Sequence, residues 1–368
     1  MPQLFSPVQF GPLQLANRIV IPPMCTYSAD NGHATDWHVM HYGNLAQSGA
    51  GLLIIEASAV EARGRINAFD LGLWSDSHAQ ALAPVVQHIR RYSLMPICVQ
   101  LAHAGRKAST RRPWEGGGAY PAGDPLAWQT ISASNLPFDP KDPAPQSATL
   151  DDIAGFKQAF ADAAVRAHQL GMDAVEIHAA HGYLLHQFLS PLSNQRTDAY
   201  GGSLGNRMRL TLEVFEAVRA AVPASMCVGI RISATDWMEG QGWDVEQSKV
   251  LAAELAARGC QFLHVSTAGL HIEQKIPVGP NYQVPAAAAL RAHLQGAMPV
   301  IAVGLITEPQ QAEAIVQSGE ADAVGIARGM LYNPRWPWEA ARQLGASVHA
   351  APQYLRCQPY GAKGLFSV

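Results

Sequence analysis

The sequence predicts an α/β fold: a (β/α)8 TIM barrel with one long irregular loop after its third strand. Two observations lead there. Eight short runs rich in Val, Ile and Leu recur along the chain, and stretches with helical spacing separate most of them. Strands alternating with helices make βαβ units and a parallel sheet. Eight such units point to closure into a barrel rather than to an open doubly wound sheet. Composition agrees: among 368 residues 48% are hydrophobic and 15% charged, as in a compact enzyme with a large core. The whole chain, 1–368, is expected to form one barrel domain.

The expected strands are Asn17–Met24, Gly51–Ala57, Pro96–His103, Ala174–His181, Cys227–Ala234, Phe262–Gly269, Pro299–Ile306 and Ala323–Met330. Amphipathic helical stretches include Leu150–Leu170, Leu204–Val222, Asp244–Arg258 and Pro309–Ser318. Between the third strand and Leu150, the segment Ala104–Thr149 is rich in Pro, Gly and Trp and lacks a helical pattern. An irregular segment of that length inside a compact domain is usually functional, as a lid or an interface. The strand–helix rhythm resumes unchanged at Leu150, so no domain boundary is expected there.

Within the strands one parity is apolar and the other is not. Ile97, Val99 and Leu101 alternate with Cys98, Gln100 and Ala102; Val175 and Ile177 with Glu176 and His178. Val228, Ile230 and Ile232 alternate with Gly229, Arg231 and Ser233, and Leu263 and Val265 with His264 and Ser266. Successive side chains alternate faces, so a barrel aims the apolar set at its helices and the polar set inward. Gln100, His178 and Arg231 then face the C-terminal mouth, where barrels of this type hold their active sites. Read singly, each is equally well a satisfied interior polar group; the three together favour a site.

The net charge of −3 argues against a nucleic-acid binder. Five scattered cysteines (25, 98, 227, 260 and 357) form no C-x-x-C pair and read as reduced thiols. The opening Met-Pro-Gln-Leu-Phe lacks a basic stretch followed by an apolar run, and no apolar run approaches roughly 20 residues. A cytoplasmic protein without membrane spans is expected.

The densest chemistry lies in His178-Ala-Ala-His181-Gly-Tyr183. Two imidazoles and a phenol at one strand end can polarise an oxygen and donate a proton beside it. The other readings are a pair of structural histidines or a His-x-x-His metal site, which lacks an evident third ligand. Arg231, permanently charged in a barrel mouth, needs an anionic partner. Gly304 after strand seven and Gly325 to Gly329 in strand eight, with Arg328, stand where this fold often holds a phosphate. Cys25 and Tyr27 follow Pro22-Pro23-Met24 at the end of strand one, where they line a pocket or merely pack.

Taken together these motifs resemble the Old Yellow Enzyme family of FMN oxidoreductases, over almost the whole chain. The resemblance is carried by Asn17-Arg18 before Pro22-Pro23-Met24-Cys25, by Gln100 through Gly105-Arg106-Lys107, by His178 through Tyr183, and by Arg196-Thr-Asp-Ala-Tyr-Gly-Gly202 through Asn206-Arg207. Cys25, Tyr27 and His-x-x-His are similar to the thermophilic-like, xenobiotic-reductase branch. The resemblance implies that Pro22, Pro23, Met24, Cys25, Ala57, Gln100 and Arg231 surround the isoalloxazine and ribityl parts of FMN. It implies that Gly304, Ala327 and Arg328 bind the FMN phosphate. Ala327 stands where the family often has Gly, and its amide still donates. His178 and His181 would hold the substrate's activating oxygen, Tyr27 would line the pocket, and Tyr183 would donate the proton. Cys25 would tune the flavin potential.

The implied activity is reduction of electron-poor alkenes (enones, enals, maleimides or nitroalkenes) with NADPH or NADH, by a homodimer or homotetramer. Another FMN barrel oxidoreductase acting on nitro compounds or xenobiotics, or a non-catalytic flavin-binding module, are the alternatives. Three assignments stay open in the sequence. Glu176 and an anionic reduced flavin serve equally as partner to Arg231. Arg106 and Lys107 read either as a 2′-phosphate site or as a mobile cationic rim. Arg356 reads either as a finger reaching a neighbouring subunit's pocket or as a solvated charge.

Overall fold

A computed structural model describes residues 2–367; residues 1 and 368 of the expected domain lie outside the described residues. Eight parallel strands close on themselves: β1 (Ile19–Ile21), β2 (Leu52–Ala59), β3 (Ile97–Ala102), β4 (Ala174–Ala179), β5 (Cys227–Ser233), β6 (Leu263–Ser266), β7 (Val300–Ala302) and β8 (Ala323–Gly325). β8 pairs β1 through Val324 with Ile19, which completes the circle. Around it run α1 (Asp36–Ala46), α2 (Asp76–Tyr92), α3 (Leu150–Gln169), α4 (Leu204–Ala221), α5 (Val245–Ala257), α6 (Val284–Leu294), α7 (Pro309–Gln317) and α8 (Trp336–Leu344).

The helices start where the local chemistry caps them. Thr149 accepts from the Asp152 amide at α3, and Asp244 from the Gln247 amide at α5. Each satisfies one of the first-turn N–H groups that a helix leaves unbonded. Pro309 opens α7, where its missing N–H costs nothing.

The strand parity read from the sequence holds. Ile97, Val99, Val175, Ile177, Ile230, Ile232 and Val265 join the core between sheet and helices. The inward set is layered rather than uniformly polar. Val20, Leu52, Ile54, Cys98, Ala174, Cys227, Ile301 and Ala323 form an apolar plug at the strand starts. An antiparallel hairpin (Val8–Phe10 with Leu13–Leu15) closes that end, its Phe10 ring stacked 5.3 Å from Phe262. Only above the plug does the interior turn polar, at Gln100, Glu176, His178, Arg231 and His264.

Most strand ends differ from the sequence expectation, β4 ending at Ala179 and β6 at Ser266, and three differences bear on expected cofactor residues. β1 ends at Ile21, so Pro22 through Tyr27 form an irregular segment after the strand. β7 ends at Ala302, two residues before Gly304. β8 ends at Gly325, and Arg328 opens a short helix (Arg328–Tyr332) instead of lying in the strand. Proline has no N–H for the ladder, and the Gly and Ala positions leave the sheet to turn.

Segment 104–149 is irregular as expected. It carries two 3-10 turns (Gly105–Lys107 and Pro113–Glu115), and Ile131–Ser132 pairs with Gln146–Ser147. The Arg196 motif anchors it: Arg196 donates to the carbonyls of Ala133 and Ala148 while paired with Asp198. That string is scaffold, tying the loop to the barrel.

Candidate active site

Adjacent strands bring the interior polar residues to neighbouring positions. Gln100 stands beside Glu176, His178 beside Arg231, and Arg231 beside His264. Glu176, fully buried, accepts from Gln100 Nε2 at 2.7 Å and from His264 Nδ1 at 2.6 Å. The carboxylate is thus bonded to Gln100 and His264, and of the two partners the sequence left open for Arg231 it is not the one in hydrogen-bond contact. Arg231 is 9% exposed, forms no ion pair among the described residues, and its buried Nε has no hydrogen-bond partner. Burial holds its pKa below the usual arginine value, with Glu176 pulling the other way. A buried guanidinium left this way needs an anionic group from outside the chain.

His178 is 3% exposed, and its Nδ1 accepts from the Ala180 amide at 3.2 Å. In the neutral ring the proton therefore sits on Nε2. Burial first, and Arg231 next, push the His178 pKa well below the ordinary histidine value, so it is neutral at pH 7. His181 turns the loop after β4 in a left-handed conformation (φ 58°). Its amide donates to Ser233 Oγ at 2.9 Å, and its Nε2 lies 2.7 Å from Ser266 Oγ. Burial and Arg231 also hold His181 neutral. The His178 ring lies edge-on to both His181 and Tyr183, with centroids 5.1 and 5.0 Å away. Burial raises the Tyr183 pKa well above 10, so the phenol keeps its proton.

At the β1 end, Tyr27 is half-buried with φ 53°, its ring against Trp114 of the long loop at 5.8 Å. Cys25 is a thiol at neutral pH, since burial and the carboxyls of Asp70 and Glu56 raise its pKa. Pro22 and Ala57 are buried, and Pro23 and Met24 half-buried. The β2–β3 pairing shifts register between Ile55 and Ser58, the stretch containing Ala57. Across the barrel, Gly304 has φ 127°, and a Cβ there would come within 3.0 Å of Gln283. Ala327 is half-buried and Arg328 exposed.

The structure also corrects the reading of Arg106 and Lys107 as a mobile rim. Arg106 is 6% exposed and donates to the carbonyls of Leu136, Pro137 and Leu270. Lys107 donates from Nζ to the carbonyls of His181 and Gly269. Arg356 is exposed on the 3-10 turn Pro352–Cys357. Among the described residues no group of three or more His, Cys, Asp or Glu side chains is arranged to hold a metal ion. Ser233, Ser266, Gln283, Trp114 and Asp70 were not singled out for the site by sequence, and Lys107 was read only as a 2′-phosphate site or a rim. Ser233 and Ser266 had a signal, as inward positions of β5 and β6.

Asp70 is 2% exposed, accepts from the Ile66 and Asn67 amides, and leaves Oδ1 without a partner. Burial, reinforced by Glu56, pushes its pKa up to about 8. A carboxyl raised above its unfolded value contributes stability below about pH 4 that is lost as pH rises through about 8. Asp70→Asn is therefore expected to be more stable than the parent at pH 8, by about 1 kcal/mol or more. Its stability should vary less between pH 4 and 8. Urea midpoints at both pH values check this; a parent advantage at pH 8 contradicts it.

The chain matches the NADH:flavin oxidoreductase / NADH oxidase family over residues 3–346. It is 42% identical over 359 residues to an NADPH dehydrogenase of Listeria innocua, covering 97% of this chain and 99% of that one. An NADPH dehydrogenase of Geobacillus sp. is 41% identical over 355 residues, covering 96% and 98%. The solved structure of morphinone reductase superposes with a TM-score of 0.77 at 28% identity, covering 100% of this chain and 94% of its own. The chain belongs to the Old Yellow Enzyme family. As a member of that family it is an oxidoreductase that uses FMN and NAD(P)H. The residues present fit FMN: the buried Arg231 guanidinium, whose Nε has no partner among the described residues, would match the negative charge of the reduced cofactor. No described helix is long and apolar enough to cross a membrane.

Proposed function

We propose that this Old Yellow Enzyme family member is an ene-reductase acting on electron-poor C=C bonds, with residues 1–368 working as one FMN-binding barrel. The observation that carries this reading is His178 with its proton on Nε2, in edge-on contact with a protonated Tyr183. FMN bound in the mouth supplies the hydride carrier between a nicotinamide and the alkene. In this reading Pro22, Pro23, Met24, Cys25, Ala57, Gln100 and Arg231 enclose the ring system and ribityl chain, and Gly304, Ala327 and Arg328 hold the phosphate.

The protein's own work is positional and electrostatic. His178 donates from Nε2 to the activating oxygen of an enone, enal, maleimide or nitroalkene, where negative charge grows. His181 joins it from Nδ1 when the Ser266 hydroxyl, which otherwise donates to Gln283 Oε1 at 2.9 Å, turns its proton to His181 Nε2. Tyr27 lines the pocket. Tyr183 gives its proton to the carbon beside the activating group. Cys25, a neutral thiol, lies beside the ring and tunes its potential. The enzyme assembles as a homodimer or homotetramer, with Arg356 reaching towards the neighbouring pocket. A truncation before Gln353 that changed neither assembly nor substrate affinity would remove that last element.

Anaerobic oxidation of NADPH by the FMN-loaded protein, with and without 2-cyclohexenone, tests the function. Enone-dependent consumption is expected. Consumption that stops at one equivalent per flavin and ignores the enone rejects ene reduction for that acceptor. Arg231→Met tests the cofactor role. It is expected to weaken FMN binding about 10- to 100-fold, the worth of a charge-assisted hydrogen bond. The apoprotein should lose no stability, because the charge removed is unpaired. Fluorescence titration of FMN into apoprotein reads the first, and urea unfolding the second.

A further inference from the structure

The loops after β4 and β6 touch at left-handed turns. His181 and Gly182 have φ 58° and 72°, and Ala268 and Gly269 have 69° and 95°. A Cβ on Gly182 would lie 2.1 Å from the Gly269 carbonyl oxygen, so the two backbones meet without room for a side chain. Two side chains join them: Ser233 Oγ accepts from the His181 amide at 2.9 Å and donates to the Ala268 carbonyl at 2.8 Å, and Lys107 Nζ donates to the His181 carbonyl at 2.8 Å and to the Gly269 carbonyl at 2.7 Å. The same ammonium lies 5.2 Å from the centre of the Tyr183 ring and 4.5 Å from that of Phe138. Lys107 forms no ion pair with a carboxylate among the described residues. The titratable groups facing it are Arg106 on its own turn and His178, His181 and Tyr183 from β4 and its loop.

We propose that Lys107 is a positioning residue for the proton-donating step, clamping the His181 and Gly269 loops and supplying positive charge beside Tyr183 as it becomes a phenolate. The inference rests on the ene-reductase reading. In the step, the Tyr183 O–H bond breaks, its proton forms a new C–H bond on the acceptor, and the electron pair stays on the phenol oxygen. Lys107 keeps its own proton. A phenol raised above its ordinary pKa by burial is a reluctant donor, and of the groups against its ring His178 is neutral while Lys107 brings an ammonium. Burial, and then Arg106, lower the Lys107 pKa to about 7. As pH rises through that value the amine loses its charge but keeps two N–H groups for the two carbonyls. The clamp then persists while the charge disappears.

Holoenzyme, Lys107→Met and Lys107→Arg separate these contributions. Rapid mixing would follow flavin reduction by NADPH and reoxidation by 2-cyclohexenone from pH 6 to 9. Hydrogen exchange would follow the amides of residues 180–184 and 268–270. The parent's reoxidation rate should fall as pH rises through about 7. Lys107→Met should reoxidise about tenfold more slowly or worse, with no such fall, while NADPH-driven reduction stays within about twofold. Lys107→Arg, which stays charged, should recover most of the rate and show a flat profile. Exchange in both loops should rise in Lys107→Met. A parent-like reoxidation rate in Lys107→Met, or the same pH limb in Lys107→Arg, overturns the electrostatic role. If the parent itself ignores the enone, the ene-reductase reading fails separately, and unchanged exchange in Lys107→Met then overturns the clamp. If Lys107→Met loses FMN, the Lys107→Arg profile decides.

Discussion

Tyr183→Phe is expected to slow reoxidation of the reduced enzyme by 2-cyclohexenone about 10²- to 10⁴-fold, the range a positioned general acid contributes. The substitution removes one oxygen. It leaves the ring against His178 and the backbone bond from the Tyr183 amide to the Ala180 carbonyl. Flavin reduction by NADPH involves no proton from this phenol, so that half-reaction should stay within about twofold of the parent. Burial keeps Tyr183 protonated through the neutral range, so its own titration should leave no limb in the parent profile between pH 6 and 8. Stopped-flow measurement of the two half-reactions decides the matter. Equal loss in both would reassign Tyr183 to cofactor binding or folding.

The largest stability effect is expected from Glu176→Gln, at about 3–5 kcal/mol, the cost of removing one partner from a buried charge network. The carboxylate accepts from both His264 and Gln100 and is the strongest influence opposing burial at Arg231. A glutamine there places its own NH2 among donors and removes the negative charge one strand from an unpaired guanidinium. Urea unfolding of the apoprotein should show a lowered midpoint with an unchanged slope. FMN should then restore part of the loss by mass action, because it binds only the folded chain. An unchanged midpoint would mean that water reaches Glu176 and that the triangle is not a structural unit.

The outward parity of the strands was legible because Val, Ile or Leu recurs at every second position through β3 to β6. The layering of the inward set was less so. Cys98, Ala174 and Cys227 give no hint that Phe10, from a hairpin far away in sequence, stacks on Phe262 to seal the barrel's lower end. The Arg196 string is distinctive in sequence, yet its work is to tie down the long loop. Glu176 shows how a strand pattern finds a residue but not its partner: the parity placed it inside, and only closure of the barrel brought His264 to it.

By itself the sequence determined which residues face inward, that the strands are eight, and that His178, His181 and Tyr183 share one strand end, since all of these follow from short-range periodicity. Only the tertiary structure decided who bonds to whom. Glu176 takes His264 and Gln100 rather than Arg231, His181 meets Ser266, and Lys107 lies under the loops rather than on a mobile rim. Such pairings depend on strand register and on loops that meet across the barrel mouth. Those distances are set by closure of the whole sheet, and no local stretch of chain encodes them.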